Sequence, residues 1–309
     1  MTMRFGAGFW VQRTGWPELR EAAHRCEAAG FDDLWVDDHL LSDEGDWHDG
    51  KLEGWTTLAA IAQVTSSPRL GLMVAANTFR APGLTAKLAT TLDHLSGGRA
   101  ILGIGAGWFE REHDAFGLDF GSGFGERLDR LAESVPLIRR LLDGELVTQE
   151  GRFYTLRDAV CAPRPVQPHL PLLIGGSGPK KTIPLVARYA DLWNAYGEPA
   201  GLAAADVLLR AACAAIGRDE REIERTVDLN VVIRRDRAEA EHAWRGWFDI
   251  HDPRRGEATL DAAGSVADVA AALARYRAVG FRPVMVFRTP FDLETVDRLP
   301  ELHAAMGDG

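Results

Sequence analysis

Three adjacent side chains in the sequence could transfer protons. Asp37, Asp38 and His39 follow directly on the apolar residues 34–36. An imidazole next to carboxylates can be tuned to donate or accept a proton near neutral pH. His39 and Asp38 are therefore candidate catalytic residues. A helix-capping aspartate beside an incidental histidine is the alternative that the sequence leaves open.

Two glycine-rich segments could bring backbone N–H groups against a ligand. Residues 102–107 begin like a dinucleotide-binding turn, but Trp108 stands where that turn needs its third glycine. Residues 175–178 precede Pro179, so they lack the final glycine of a nucleophile elbow and the Gly-Lys pair of a P-loop. A glycine-rich turn from a strand into a helix still suits a phosphate, with an ordinary strand–helix turn as the alternative.

A third candidate is the charged cluster formed by Glu110, Glu112, His113 and Asp114. Acidic residues favour the first turn of a helix, so this cluster is either a solvated helix start or a set of ligands. The nine histidines show neither H-x-x-x-H nor H-E-x-x-H spacing, and we therefore predict no metal site.

Strand-like apolar segments alternate with helical patterns along the whole chain, which is typical of parallel strands joined by helices. The predicted strands are 5–9, 34–36, 70–75, 100–104, 171–174, 191–195, 227–233 and 283–287. Eight such units predict an α/β fold, a single (β/α)8 TIM barrel over residues 1–309. An open doubly wound sheet is the competing architecture. We place insertions after strands 4 and 7, at about 109–125, 151–167 and 250–264, with a hairpin as one form for 151–167.

A barrel of this kind brings the carboxyl ends of its strands to one mouth, where the chemistry takes place. Polar or glycine residues stand at most of the predicted strand ends. They are 37–39, 77–80, 105–108, 175–178, Asn194, Asn230 and Arg288.

Composition limits the partners. The chain of 309 residues carries 35 Lys+Arg against 45 Asp+Glu, a net charge of −10, which argues against a nucleic-acid partner. No apolar run approaches the roughly 20 residues that cross a bilayer, and no signal peptide is evident at the start. Three widely spaced cysteines favour a reducing compartment, so we expect a cytoplasmic protein.

Over nearly its whole length the sequence resembles the luciferase-like monooxygenase superfamily. The most typical stretches are NTFRAP at 77–82, LDHLSGGR at 92–99 and GIGAGWFERE at 103–112. PLLIGGSG at 171–178 and ARYADLWN at 187–194 add support. The resemblance is closest to the branch that uses the deazaflavin coenzyme F420. It implies a (β/α)8 barrel and an oxidoreductase.

The resemblance also implies a set of site residues. Residues 35–39 are similar to the family's second-strand motif, whose Asp and His reach the reactive edge of the ring. Residues 73–77 correspond to a bulge with a non-prolyl cis peptide, expected near Met73–Val74, and 175–178 to the phosphate-binding turn. The implied cofactor-binding residues are Asp38, His39, Met73, Val74, Ala75, Asn77, Thr78, Gly107, Trp108, Arg111, Gly175, Gly176, Ser177 and Gly178.

The substrate pocket is expected to be apolar. Sugar-phosphate dehydrogenases of this superfamily place a catalytic Glu where this chain has Trp108, and we find no clear basic cluster for a substrate phosphate. The expected pocket residues are Trp10, Trp47, Phe79, Trp108, Asn194 and Arg288.

We therefore expect hydride transfer between F420 and a small, apolar organic substrate, with His39 assisting proton transfer and Asp38 orienting His39 or touching the ring edge. Arg111 is expected to meet the anionic tail of the coenzyme. An FMN-dependent monooxygenase that uses O2 and a non-catalytic flavin-binding barrel are the alternatives. A homodimer is expected through the helices at 55–64 and 86–95.

Overall fold

The computed structural model describes residues 3–249, 260–287 and 292–307. The strands are Gly6–Phe9 (β1), Asp33–Val36 (β2), Arg69–Leu72 (β3), Ala75–Ala76 (β4), Ala100–Gly105 (β5), Val147–Glu150 (β6), Thr155–Ala159 (β7), Leu172–Gly175 (β8), Leu192–Ala195 (β9), Glu224–Ile233 (β10), Ala262–Gly264 (β11) and Arg282–Phe287 (β12). The helices are Trp16–Ala29 (α1), Gly54–Val64 (α2), Pro82–Ser96 (α3), Glu110–Phe116 (α4), Phe124–Leu142 (α5), Thr182–Tyr189 (α6), Pro199–Ala215 (α7), Arg237–Asp249 (α8), Val266–Ala278 (α9), Leu293–Asp297 (α10) and Leu299–Ala305 (α11).

Eight parallel strands close into a barrel in the order β1, β2, β3, β5, β8, β9, β10 and β12. The last of them pairs with β1, Gly6 lying opposite Val284, so the sheet has no edge. The short strand β4 follows β3 after a two-residue break and pairs with β5. The predicted (β/α)8 barrel is confirmed, and closure excludes the open doubly wound sheet.

The structure has insertions after the fourth and seventh barrel strands, as the sequence predicts. After β5, the fourth barrel strand, come helix α4 and the antiparallel hairpin of β6 and β7. The hairpin starts at Val147 rather than 151, because its first strand is mostly exposed and polar and has no apolar run to mark it. After β10, the seventh barrel strand, β11 pairs with β10, while the remainder of the predicted insertion, residues 250–259, lies outside the described residues.

The interior of the barrel is filled at one level by side chains from facing strands. Trp35, Ile101, Leu173, Leu192 and Val284 form a buried apolar cluster inside the barrel. Large branched and aromatic side chains of this kind pack a barrel interior solid. The open end is therefore the mouth at the carboxyl ends of the strands, where the predicted site lies.

Residues at the helix ends set where the helices that connect the barrel strands begin and end. Helix α3 begins with Pro82, whose missing N–H costs nothing at a first helical position, and ends at Gly97 with φ +67°. Helix α2 begins where the Glu53 side chain accepts hydrogen bonds from the amides of Trp55 and Thr56. None of the described helices is long and apolar enough to cross a membrane. The three cysteines are free and buried.

Candidate active site

A cavity of about 570 Å³ opens at the carboxyl ends of the barrel strands. Its volume is that of a pocket for a cofactor or a drug-sized ligand. Many of the residues predicted from the sequence line it. They are Trp10, Asp38, His39, Met73, Val74, Ala75, Gly107, Trp108, Gly175, Gly176, Ser177 and Gly178.

The inner end of the cavity is formed by Val74, and the expected non-prolyl cis peptide between Met73 and Val74 is confirmed. The Val74 side chain lies on glycines of two neighbouring strands. A Cβ atom on Gly105 would come within 2.7 Å of Val74 Cγ2, and one on Gly175 within 3.2 Å. Real Cβ atoms do not approach that closely without displacing their neighbours. The glycines are therefore needed so that Val74 can sit there and offer an apolar surface to the cavity.

His39 lies on the cavity wall, and its ring is held by a carboxylate from a distant part of the chain. His39 Nδ1 is 3.0 Å from Glu112 Oε1, and the same carboxylate accepts a hydrogen bond from the Leu40 amide at 2.9 Å. Glu112 is buried at the start of α4. The edge of the imidazole also meets Trp108 at 5.4 Å between ring centres. The hydrogen bond on Nδ1 leaves Nε2 as the nitrogen available to a ligand in the cavity.

Nearby carboxylates favour the protonated form of His39. Burial lowers its pKa, but the hydrogen bond to Glu112 and the negative charges of Asp43 and Asp37 outweigh burial and raise the pKa above its usual range. Asp43 lies 3.8 Å from His39 Nε2. The surroundings of His39 thus stabilise the imidazolium relative to the neutral ring.

A buried lysine pairs with those two aspartates. Lys51 Nζ contacts the carboxylate of Asp37 and lies 2.9 Å from Asp43 Oδ1, with its side chain 1% exposed. Burial raises the pKa of Asp43, but the Lys51 ammonium more than offsets it and brings the pKa to about 2. Asp37, His39 and Asp43 lie close enough together to hold an ion. Lys51 already supplies the positive charge between the two carboxylates.

Asp38 does not hold the His39 ring, which was one of the two roles expected of it. Its carboxylate pairs with both terminal nitrogens of Arg80 at 2.7 and 2.9 Å and accepts the Ala76 amide at 2.8 Å. Arg80 also reaches Glu53 at 3.1 Å. The expectation that Asp38 orients His39 is corrected, because Glu112 supplies that hydrogen bond. Asp38 instead fixes the backbone of β4, next to Val74, while its side chain borders the cavity.

The glycine-rich loop 175–178 leads from β8 into α6 at the rim of the cavity. Gly176 has φ +107°, a backbone conformation that favours glycine, and its N–H donates to the Asn194 carbonyl at 2.9 Å. Thr182, the first residue of α6, also lines the cavity. Among the described residues, no side chain caps the amino end of α6; the Ile183 amide donates to the Gly178 carbonyl of the loop at 2.9 Å, and the positive end of the helix faces the loop.

Several predicted site residues do not line the cavity. They are Trp47, Asn77, Thr78, Phe79, Arg111 and Asn194. Trp47 packs against His48, with the Arg111 guanidinium 3.9 Å over its ring, so these two side chains satisfy each other away from the cavity. Phe79 packs against His113 at 4.9 Å. Arg288 lies outside the described residues.

Asn77, Thr78 and Asn194 each form a hydrogen bond with a side chain from another part of the chain. Asn77 Nδ2 donates to the Tyr154 hydroxyl at 3.0 Å. Thr78 Oγ1 is 2.7 Å from Nε2 of His113, which is fully buried rather than solvated as the helix-start interpretation expected. Asn194 Nδ2 donates to Asp228 at 2.9 Å. These residues position the wall.

Three side chains around the cavity were not singled out from the sequence: Lys51, Tyr196 and Asp228. They carry no local signal, because their partners lie on other strands and loops. Glu112 stands in the charged cluster that the sequence left undecided, and Arg80 in the predicted strand end 77–80, but the sequence did not indicate the partner of either residue.

The match to known proteins agrees with this geometry. Residues 3–295 match the family model described as luciferase-like monooxygenase. The chain belongs to this family. Its barrel, the cis peptide and the cavity at the strand ends are thus those of a luciferase-like oxidoreductase, and the resemblance inferred from the sequence is confirmed.

The relatives include proteins named for F420. The chain is 33% identical over 258 residues to an F420-dependent glucose-6-phosphate dehydrogenase of Kineococcus radiotolerans, covering 76% of this chain and 73% of that protein. It is 32% identical over 229 residues to an F420-dependent hydroxymycolic acid dehydrogenase of Mycobacterium tuberculosis, covering 72% of this chain but only 61% of that protein.

Solved structures share the fold. An F420-dependent secondary alcohol dehydrogenase in complex with an F420-acetone adduct has a TM-score of 0.84 at 21% identity, with 99% of both chains covered. A riboflavin lyase with modified FMN and riboflavin also has a TM-score of 0.84, at 16% identity, covering 100% of this chain and 92% of the other. At these identities the likeness concerns the fold.

Proposed function

We propose that this protein is an F420-dependent oxidoreductase acting on a small, apolar organic substrate. The observation that carries the proposal is the His39–Glu112 pair on the wall of a cavity whose inner end is the Val74 surface. The curated relatives named for F420 support the choice of coenzyme.

The described residues fit a planar, anionic coenzyme. Val74, supported by Gly105 and Gly175, offers the apolar surface on which a ring could lie. The loop 175–178 and the uncapped amino end of α6 would hold a phosphate. When bound, F420 supplies hydride transfer at C5 of its ring. The net charge of −10 repels an anionic coenzyme at long range. Backbone N–H groups of the site must therefore bind its phosphate.

His39 supplies the proton that accompanies the hydride. In the reducing direction, protonated His39 donates from Nε2 to the substrate atom that becomes basic, and in the oxidising direction neutral His39 accepts the proton there. Glu112 holds the ring in place through Nδ1 at 3.0 Å and stabilises the imidazolium. Asp43 adds to that stabilisation.

The walls beside His39 favour an apolar substrate. Trp10, Trp108 and Phe124 face the cavity, and none of its described lining residues is Lys or Arg. A phosphorylated substrate would therefore meet carboxylates and no Lys or Arg from the described wall, where His39 is already paired with Glu112. The aromatic rings suit a hydrocarbon body instead.

Cofactor titration tests the coenzyme. The purified protein, freed of small molecules, is titrated with F420 and separately with FMN, and binding is followed by the fluorescence of each. Tight F420 binding with weak FMN binding supports the proposal. Tight FMN binding without F420 binding would establish the FMN-dependent alternative.

The variant His39→Ala tests the proton transfer. We expect turnover with reduced F420 and a panel of ketones to fall by about 100-fold, since general acid–base groups contribute 10²–10⁴-fold, with F420 affinity nearly unchanged. His48→Ala, at an exposed position outside the cavity, is the matched control and should retain full turnover. Unchanged turnover in His39→Ala would remove His39 from the mechanism, and binding without turnover of any substrate would favour a non-catalytic barrel.

A further inference from the structure

A second polar pair lies on the cavity wall, apart from His39 and Glu112. Tyr196 follows β9 directly, Asp228 lies within the neighbouring strand β10, and both side chains line the cavity. The Tyr196 hydroxyl is hydrogen-bonded to the Asp228 carboxylate. Asn194 Nδ2 donates to Asp228 Oδ1 at 2.9 Å and so fixes the carboxyl from behind.

Asp228 differs from the other paired carboxylates around the cavity. Asp37 and Asp43 pair with Lys51, Asp38 pairs with Arg80, and Glu112 bonds His39. Within the described part of the chain no Lys, Arg or His forms an ion pair with Asp228. A carboxyl that is buried without a cation is costly to keep charged, and such a group at a cavity wall is available to a ligand.

The rim beside this pair is apolar and open. Trp108 is 60% exposed, Phe124 59% and Tyr196 62%, and all three line the cavity. Large exposed aromatic side chains around a pocket indicate that an apolar group covers them when a ligand is bound. The ligand that fits this part of the wall therefore has a hydrocarbon body and at least one polar atom near Tyr196.

We propose that Tyr196 and Asp228 bind the oxygen of an uncharged hydroxyl or carbonyl group of the substrate, and so select apolar alcohols and ketones against phosphorylated compounds. The proposal rests on the oxidoreductase function proposed above and names the substrate class for that site. Tyr196 and Asp228 act here as binding residues.

The protonation state of Asp228 matches both forms of such a substrate. Burial is the main cause that raises the pKa of Asp228 to about 7. The hydrogen bond from Tyr196 lowers this pKa, and the negative charge of Asp261 raises it. When Asp228 is protonated it can donate to the Tyr196 oxygen, which frees the Tyr196 hydroxyl to donate to a ketone. When Asp228 is ionised, Tyr196 donates to it and its oxygen can accept from an alcohol.

The groups that act on Asp228 come from three sides. Tyr196 and Asn194 face it from β9 and the following loop, and Asp261 acts from the segment before β11. From β12, Val284 and Val286 line the cavity without charge. Ketone affinity should therefore fall, and alcohol affinity should rise, as the pH increases through about 7.

The test is a ligand-observed NMR titration with cyclohexanone, cyclohexanol and glucose 6-phosphate, using F420-loaded and cofactor-free protein between pH 6 and 8.5. We expect Tyr196→Phe to weaken binding of both neutral probes about tenfold, the loss of one hydrogen bond to the ligand. Asp228→Asn should abolish the opposite pH trends of the two probes. Tyr189→Phe, on α6 outside the cavity, is the matched control and should bind as the wild type does.

The outcomes separate this inference from the proposed function. Equal affinity of the wild type and Tyr196→Phe, no binding of either neutral probe, or tighter binding of glucose 6-phosphate than of cyclohexanol would overturn it. If F420 fails to bind while Tyr196→Phe still weakens the neutral probes in the cofactor-free protein, the coenzyme assignment fails and the binding pair stands. Tyr196→Phe removes one oxygen from a largely exposed side chain, and its fold is checked by its melting temperature.

Discussion

Replacing Asp228 by Asn should stabilise the protein at alkaline pH. The pKa of Asp228 rises from 3.8 to about 7 in the folded chain, chiefly because the carboxyl is buried. The native state therefore holds its proton more tightly than the unfolded chain does. As the pH rises from 4 to 7 the unfolded chain loses that proton first, the free energy of unfolding decreases, and the loss is complete above pH 7.

The size of the effect follows from the pKa difference. Each unit of pKa shift corresponds to about 1.4 kcal/mol. Between pH 5 and pH 8 the free energy of unfolding of the wild type therefore falls by about 3 kcal/mol through Asp228, whereas Asn does not titrate and gives no such decrease. Removing the hydrogen bond that Tyr196 donates to the carboxylate lowers the stability of the variant by about 1 kcal/mol at any pH where that bond exists. The pH dependence, rather than the stability at a single pH, is therefore the quantity to compare.

The assay is urea unfolding of wild type and Asp228→Asn at several values between pH 5 and pH 8.5. The stability of the variant relative to wild type should increase with pH up to about 7 and then stay constant. Asp114→Asn, at an exposed position on α4, is the control and should follow the wild-type pH profile. Parallel profiles for wild type and Asp228→Asn would refute the reasoning, because they would mean that the Asp228 carboxyl titrates alike in both states.

Three further substitutions test the structure around His39 and Val74. Glu112→Gln should reduce turnover about tenfold or more and shift the pH profile to lower pH, because the pKa of His39 falls without the carboxylate on Nδ1; an unchanged profile would contradict the role of Glu112. Lys51→Met should lower the free energy of unfolding by about 3 kcal/mol, since two partly buried carboxylates lose their cation, and chemical denaturation measures it; a change below 1 kcal/mol would argue against these pairs. Gly105→Ala should weaken F420 binding about tenfold while the barrel still folds, because the new Cβ displaces Val74; fluorescence titration measures the affinity, and wild-type affinity would show that Val74 can move without cost.

The expected homodimer stays a prediction. The helices named for its interface, α2 and α3, lie side by side on the outside of the barrel. Sedimentation velocity of the purified protein measures the oligomeric state directly. The expected cytoplasmic location is likewise still a prediction.

The barrel could be predicted from the sequence because its signals are local. Apolar strands, helical periods, glycine stops such as Gly97 and prolines such as Pro82 each act within a few residues, and eight repeats of one unit leave few ways to close a sheet. The hairpin start at Val147 was missed because an exposed polar strand has no apolar pattern. His39 and the loop 175–178 were found for a related reason: strand ends are places where a barrel puts its chemistry.

The sequence alone therefore determined the architecture, the family and the strand ends that carry the site. Only the tertiary structure decided which charges pair there. Glu112 rather than the adjacent Asp38 holds His39, across 73 residues of chain, and Asp38 pairs with Arg80 instead. Both residues lie in the loop after β2 and border the same cavity, but each finds its partner on another part of the chain, so adjacency in sequence does not make Asp38 a partner of His39. Asp228 acquires its raised pKa in the same way, because burial between strands and the absence of a cation among the described residues are properties of the folded barrel.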